Sequence, residues 1–131
     1  MLHVCSLAAL PDTVRATGAS HVLTVMANVE QVLAFVRGWD RAAPMVVHCY
    51  AGISRSTAGA YVAACALNPK RDEMQIAWDI RRASRTAQPN ARIVSIADRL
   101  LKRDGRMVRA IEAIGVADPA TEGHPFRLDI G

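Results

Sequence analysis

The hydrophobic positions of the chain alternate between short apolar runs and helical spacing. Apolar runs rich in β-branched residues predict three strands, at residues 2–5, 21–26 and 45–49. A helix is predicted after Asn28, because apolar residues recur there at the i, i+3, i+4 and i+7 positions of one helical face: Val29, Val32, Leu33 and Val36. Similar spacing or composition predicts further helices at residues 11–17, 56–66, 72–83, 90–101 and 107–114.

Strands that alternate with helices predict an α/β fold. A strand, a helix and a second strand in that order form a right-handed crossover, which makes the two strands parallel. A chain of 131 residues can bury one core but has no room for a second. We therefore expect a single domain over residues 1–131, with a short, mostly parallel sheet between two layers of helices. From about residue 116, proline, glycine and acidic residues predict an irregular tail.

The third predicted strand leads into the stretch with the clearest chemistry, residues 46–57. It ends in His48 and Cys49, five residues follow, and a helix of small residues begins near Arg55. The unpaired N–H groups and positive dipole end of that helix favour an anion above the loop. Gly52 lets the backbone curl so that successive N–H groups can converge. The stretch therefore predicts a phosphate-binding loop.

A cysteine at such a loop is a candidate nucleophile. The positive field is expected to lower the pKa of Cys49 and so to favour its thiolate near neutral pH. Arg55 carries a planar guanidinium that can pair with two phosphoryl oxygens and stabilise their charge in the transition state. Together these two residues predict phosphoryl transfer to sulfur.

His48-Cys49, five residues and then Arg55-Ser56 resemble the signature loop of the cysteine-dependent protein tyrosine phosphatases. The sequence of residues 51–56 is similar to that of the dual-specificity branch of that superfamily. The resemblance implies that Cys49 accepts the phosphate and that Arg55 clamps it. It also implies that Ser56 helps Cys49 to leave as a thiolate, and that His48 holds the loop and tunes the thiol. The phosphate-binding loop would consist of Tyr50, Ala51, Gly52, Ile53 and Ser54.

The likeness extends from the second predicted strand to the helix at Arg92, and it implies a three-layer phosphatase fold. The start of that helix is similar to a late loop that lies beside the signature loop in dual-specificity phosphatases. Asn90 is therefore either a support of the active-site loop or simply the cap of its helix.

One part of the family pattern is absent from the sequence. Such phosphatases carry a general-acid aspartate on a loop after the second strand, whereas here Met26 and Ala27 run directly into the helix at Asn28. The nearest upstream acids, Asp12 and Asp40, do not match that position, so no general acid is assigned. Two interpretations stay open: a shortened variant, or a segment missing close to Ala27.

The sequence thus predicts a phosphatase that hydrolyses phosphotyrosine or related phosphomonoesters through a phosphocysteine, with a phosphorylated protein or another phosphomonoester as its substrate. No metal or organic cofactor is expected, since His3, His21 and His124 stand in no metal-ligand spacing. The alternative function is a phosphate-binding pseudophosphatase with little turnover, because the general-acid loop is absent.

Charge and composition restrict the classes of binding partner. The net charge is +4, but basic residues are interspersed with acids and aromatics make up only 5% of the chain, which argues against nucleic-acid binding. Arg81, Arg82 and Arg85 are expected on an exposed helix face rather than at a second phosphate site.

No apolar run is long enough to span a bilayer, and the first residues lack the pattern of a signal peptide. Three cysteines in no repeated spacing argue against a disulfide framework, and Cys5 and Cys65 are expected to be core residues. We therefore expect a cytoplasmic protein. The oligomeric state is left open.

Overall fold

The computed structural model describes residues 1–25 and 28–130, and within them the chain forms a four-stranded sheet in the order β2-β3-β1-β4. The strands are β1 (Leu2–Ser6), β2 (His21–Thr24), β3 (Met45–Cys49) and β4 (Phe126–Leu128). The central strand β3 is buried along its whole length and runs parallel to both β1 and β2. Only β4 is antiparallel, pairing with β1.

Six helices flank this sheet in the described part of the chain: α1 (Leu10–Thr17), α2 (Val29–Arg37), α3 (Arg55–Leu67), α4 (Glu73–Ala83), α5 (Ala91–Leu100) and α6 (Arg106–Ala113). Helix α1 packs on β1 and β3, while α2, α4 and α5 pack around α3, and α6 packs on α4 and α5. The predicted α/β fold, with helices around a short and mostly parallel sheet, is confirmed.

Strand β4 was missed by the sequence analysis, which placed it in an irregular tail. It has only three residues, and it pairs with β1 at the other end of the chain, with Leu128 opposite Leu2. A strand this short carries little local pattern, because its partner lies more than a hundred residues away. The segment before it is also tied to the rest of the fold, as described below.

Helix α3 is buried over most of its length because its side chains are small. A Cβ at Gly59 would lie 2.6 Å from Cγ2 of Val25, so glycine lets the helix approach the end of β2 closely. The phenol of Tyr61, buried in the same helix, donates to the backbone carbonyl of Glu73 over 3.1 Å. This packing fixes the start of α3 beside the carboxyl ends of the parallel strands.

Several buried polar groups hold the later helices together. The Asp98 carboxylate accepts the backbone N–H groups of Gly105 at 2.7 Å and of Met107 at 2.8 Å, and thereby caps the start of α6. The buried Arg103 guanidinium donates to the carbonyl of Cys65 at 2.7 Å and pairs with Glu73. These contacts join α3, α4, α5 and α6 at the end of the fold away from the sheet edge that carries Cys49.

The expectation of an exposed arginine face on α4 was wrong for Arg81. Its guanidinium is partly buried and donates to the carbonyls of Ile114 at 2.8 Å, Gly115 at 2.9 Å and Ala87 at 3.2 Å. Arg82 and Arg85 are exposed as expected. The long side chain of Arg81 folds back because the last carbonyls of α6 need donors that the helix itself cannot supply.

Asn28 begins α2 as a cap, since its side-chain oxygen accepts the backbone N–H of Gln31 at 3.1 Å. The junction on which the missing-segment hypothesis rests, at Met26 and Ala27, lies outside the described residues. Across residues 1–25 and 28–130, no helix combines the length and apolarity needed to cross a membrane. Those same residues contain no cluster of three histidine, cysteine or acidic side chains able to hold a metal ion.

Candidate active site

The loop between Cys49 and Arg55 connects the end of β3 to the start of α3. It lies at the carboxyl edge of the parallel strands, where Cys49 is aligned with Ser6 of β1. Gly52 in the middle of the loop has a φ of 73°, and a Cβ there would lie 2.8 Å from the backbone nitrogen of Ser6. Both the left-handed backbone and the close approach to β1 therefore require glycine.

Most backbone carbonyls of the loop accept hydrogen bonds from segments outside the loop. Four of the five accept backbone N–H groups from other segments: Tyr50 from Leu7 (3.1 Å), Ala51 from Gly123 (2.8 Å), Ile53 from Gln88 (3.0 Å) and Ser54 from Asn90 (3.1 Å). In a trans peptide the carbonyl and the N–H of one unit point in opposite directions. Turning these carbonyls outward therefore directs loop N–H groups inward, which is the arrangement that binds an anion.

The Cys49 sulfur lies among these donors. Gly52 donates its backbone N–H to Sγ at 3.3 Å, and Oγ of Ser56 is hydrogen-bonded to Sγ at 3.2 Å. Burial by itself would raise the pKa of Cys49, but the Ser56 hydroxyl and the backbone N–H groups of Ser56, Gly52 and Ile53 outweigh it and lower that pKa.

The other two cysteines have the opposite tendency. Burial is the largest effect on both, raising the pKa of Cys5 and raising that of Cys65 to about 12. All three thiols are unpaired, and both Cys5 and Cys65 lie in the apolar interior as the sequence analysis expected. The chemical environment therefore distinguishes Cys49 from the other two.

We expect Cys49 to be the first of the three cysteines that iodoacetamide alkylates. Its rate of alkylation should fall as the pH falls through its own pKa, with a midpoint below the value of about 8.5 for a free thiol, because alkylation needs the thiolate. Mass spectrometry of peptides after limiting reagent, over a series of pH values, measures this. Faster labelling of Cys5 or Cys65 would contradict an activated Cys49.

His48 lies beside the loop without supplying positive charge. Its Nε2 is 2.6 Å from Oγ1 of Thr24, and among the described residues its buried Nδ1 has no hydrogen-bond partner. Burial lowers the pKa of His48, so the ring is neutral near pH 7. Its backbone carbonyl accepts the N–H of Val25 at 2.9 Å, which ties the end of β3 to the residue that follows β2.

Arg55 is exposed, and within residues 1–25 and 28–130 its guanidinium forms no hydrogen bond or ion pair. It lines a cavity of about 200 Å³ together with Cys49, and the remaining lining residues are Leu7, Thr24, Val25, His48 and Tyr50. The guanidinium donors are therefore available to a ligand that enters beside the sulfur.

Asn90 combines the two roles that the sequence left open. Its side-chain oxygen accepts the N–H of Ile93 at 3.0 Å and caps α5, while its backbone N–H holds the Ser54 carbonyl. Sequence reasoning missed the comparable supports at Leu7, Gln88 and Gly123, as well as Thr24 on His48. A backbone donor can come from any residue type, so no sequence signal identifies these supports in advance.

The described residues place no carboxyl group in the wall of this cavity. Asp12 forms an ion pair with Arg15 within α1, and Asp40 accepts the N–H of Ala42 in the turn before β3. Both upstream acids therefore have partners outside the site, and a general acid stays unassigned.

Comparison with known families identifies the class. The sequence model of the family Protein-tyrosine phosphatase matches residues 11–95, which include β3, the loop and α3. That match covers more than half of the chain, and the chain belongs to the protein-tyrosine phosphatase family, as the sequence motif indicated. Members of this family use a phosphocysteine intermediate. Neither the curated proteins nor the solved structures gave a significant match.

Proposed function

We propose that the protein is a phosphatase that hydrolyses phosphotyrosine or related phosphomonoesters through a phosphocysteine on Cys49. The observation that supports this most directly is the set of donors around the sulfur. Two hydrogen bonds of 3.2 and 3.3 Å hold Sγ, and the guanidinium of Arg55 lines the same cavity without a partner among the described residues. A site built in this way binds a phosphate and offers it a nucleophile.

In the first step the phosphoryl oxygens lie against the loop N–H groups and Arg55, and the Cys49 thiolate attacks phosphorus in line. The sulfur–phosphorus bond forms as the bond to the ester oxygen breaks, and that oxygen leaves with the bonding electron pair. In the second step a water oxygen attacks phosphorus and loses a proton to solvent. The sulfur–phosphorus bond breaks with its electron pair going to sulfur, so that inorganic phosphate is released and the Cys49 thiolate is restored. The Ser56 hydroxyl, 3.2 Å from Sγ, would stabilise the departing thiolate.

His48 would act on the thiol through position rather than charge, because its ring is buried and neutral. The five loop residues, 50–54, would bind phosphate through their backbone, and Asn90 would support them through its own N–H. The amino-acid sequence of residues 51–56 supports the dual-specificity type within the family. No cofactor enters this mechanism.

We propose further that residues 1–131 form a single domain that works in the cytoplasm. The pairing of β4 with β1 supports one domain, because it joins the two ends of the chain in one sheet. Three unpaired cysteines are typical of proteins in a reducing compartment. The partner would be a phosphorylated protein or another phosphomonoester, and not a nucleic acid.

A second candidate function is a pseudophosphatase that binds phosphate with little turnover. The observation that favours it is the cavity wall, which carries no carboxyl group among the described residues. A general acid contributes typically about 10² to 10⁴ in rate. Loss of that group would leave phosphate binding intact, since binding depends on the loop N–H groups and Arg55.

A phosphatase assay on wild-type protein and Arg55→Lys tests the proposal. The substrates are a panel of phosphotyrosine peptides and phosphoinositides. We expect the wild type to release phosphate from the peptides and Arg55→Lys to lose about 10²- to 10³-fold, because an ammonium cannot pair with two oxygens. Arg37→Lys, on an exposed turn of α2, is the matched control. Full activity of Arg55→Lys would contradict its role as the clamp, and phosphate binding without turnover would favour the pseudophosphatase.

A further inference from the structure

Residues 116–125, which belong to the segment between α6 and β4, pass along the active-site loop, and we call them the C-terminal strap. Its first part is tied to the loop that precedes α5. The N–H of Ala117 donates to Oε1 of Gln88 at 2.7 Å, and the N–H of Asp118 donates to the carbonyl of Arg85 at 3.0 Å. Its far end continues into β4. The strap is thus anchored at both ends, with its middle against the loop.

Two contacts fix the middle of the strap. The backbone N–H of Gly123 donates to the carbonyl of Ala51 at 2.8 Å. The hydroxyl of Ser6, which is fully buried at the end of β1, donates to Oε2 of Glu122 at 2.6 Å. Neighbouring strap residues therefore hold the active-site loop and the strand beside it.

Three backbone segments are stacked at this point. A Cβ at Gly123 would lie 2.6 Å from the carbonyl oxygen of Gly52, and a Cβ at Gly52 would lie 2.8 Å from the nitrogen of Ser6. Both clashes are with backbone atoms, which cannot move aside as a flexible side chain can. Glycine at 123 is therefore required for the strap to reach the loop.

The contact at Ala51 acts on the nucleophile through a single peptide unit. The carbonyl of Ala51 and the N–H of Gly52 belong to the same planar group and point in opposite directions. Gly123 donates its own N–H to the oxygen of that unit. The N–H of the same unit, which belongs to Gly52, donates to Sγ of Cys49 at 3.3 Å. Hydrogen bonds in such a chain also polarise one another, which strengthens the donor at the sulfur.

We infer that Gly123 and Glu122 are positioning residues, which hold the Ala51–Gly52 peptide in the orientation that stabilises the Cys49 thiolate. This role deepens the proposed function, since it concerns the nucleophile of the same site. It gives the C-terminal strap a part in catalysis although it lies outside residues 11–95, the portion that matches the family.

The test is the pH midpoint of Cys49 alkylation by iodoacetamide, measured by mass spectrometry on the full chain. We expect Gly123→Ala to raise the midpoint by about 0.5–1 pH unit, the shift that corresponds to one ordinary hydrogen bond. Glu122→Ala should raise it in the same direction by less, because the strap keeps its other anchors. Glu122→Gln should stay close to wild type, since its amide oxygen can still accept from Ser6.

Gly18→Ala is the control for lost stability. Gly18 ends α1 with a φ of 65° and has nothing within 4 Å of a Cβ, so the substitution strains the fold without touching the loop. Thermal unfolding measures how far each variant is destabilised. Gly18→Ala should leave the pH midpoint of Cys49 alkylation unchanged. If Gly123→Ala does not fold, Glu122→Ala and Glu122→Gln carry the comparison.

An unchanged midpoint in folded Gly123→Ala would overturn the inference. If Gly123→Ala does not fold, an unchanged midpoint in Glu122→Ala would overturn it. An equal shift in Gly18→Ala would also overturn it, because the effect would then be general instability. The readout needs no turnover. A protein that shows the expected shifts but hydrolyses no phosphomonoester would keep the positioning role and lose the proposed phosphatase function.

Discussion

Replacing Cys49 by serine is expected to abolish turnover while leaving the fold and phosphate binding largely intact. The loop N–H groups and Arg55 would do the binding, whereas the sulfur alone forms the covalent bond. Removal of a nucleophile typically costs on the order of 10⁴- to 10⁶-fold in rate. Release of phosphate from a phosphotyrosine peptide measures the loss, and calorimetric titration with inorganic phosphate measures the retained binding.

Cys65→Ala is the matched control for this experiment. Cys65 is fully buried in α3; alanine keeps the backbone carbonyl that accepts from Arg103 and removes a thiol that is hydrogen-bonded to Tyr61, not to the active-site loop. We expect that variant to hydrolyse the peptide at nearly the wild-type rate. Turnover by Cys49→Ser at the wild-type rate would rule out a phosphocysteine on Cys49.

The loop could be predicted from the sequence because its chemistry is local. Cys49, Gly52, Arg55 and Ser56 lie within eight consecutive positions of the chain, between an apolar strand and a helix of small residues. Helix dipole, left-handed glycine and thiolate stabilisation all act over that short distance. The strands and helices that position it carry the 2-residue or 3.6-residue periods on which such prediction depends.

The supports of the loop could not be predicted because they are distant in sequence. Glu122 and Ser6 are 116 positions apart, and the backbone donors at Leu7 and Gly123 approach the loop from opposite ends of the chain. No residue pattern predicts which backbone N–H will contact the loop, and a three-residue strand such as β4 gives no periodic signal. Asp98 and Arg81 illustrate the same limit, since their partners are helix ends whose positions depend on the tertiary fold.

The side chains that the structure describes in the cavity wall bear on the choice of substrate. Within the described residues the cavity wall is mainly apolar near the sulfur, with Leu7, Val25 and Tyr50 around the nucleophile. Tyr50 is 77% exposed and Leu7 48%, so both can contact the organic part of a substrate at the rim. Such a rim suits an aromatic ring, while no side chain of that wall offers a carboxyl proton to the leaving oxygen.

Turnover is therefore expected to depend steeply on the leaving group. With no carboxyl group in the described cavity wall to protonate it, the ester oxygen departs as an anion. That departure is far easier for a phenol, with a pKa of about 10, than for an aliphatic alcohol. We expect a phosphotyrosine peptide to be hydrolysed at least about 10²-fold faster than a phosphoserine peptide of the same sequence, in line with the 10² to 10⁴ that a general acid contributes.

A series of substituted phenyl phosphates provides the decisive measurement. The kcat/KM values, which report the step in which the phenol departs, should rise as the pKa of the leaving phenol falls. The slope of log kcat/KM against that pKa should be the same at pH 6 and pH 8, since no carboxyl group in the described cavity wall protonates the leaving oxygen. Competitive inhibition by inorganic phosphate serves as the control, because it involves no leaving group and should be the same for every substrate at a given pH. A flat dependence of kcat/KM on the phenol pKa, or equal kcat/KM values for the two peptides, would mean that an acid does protonate the leaving oxygen.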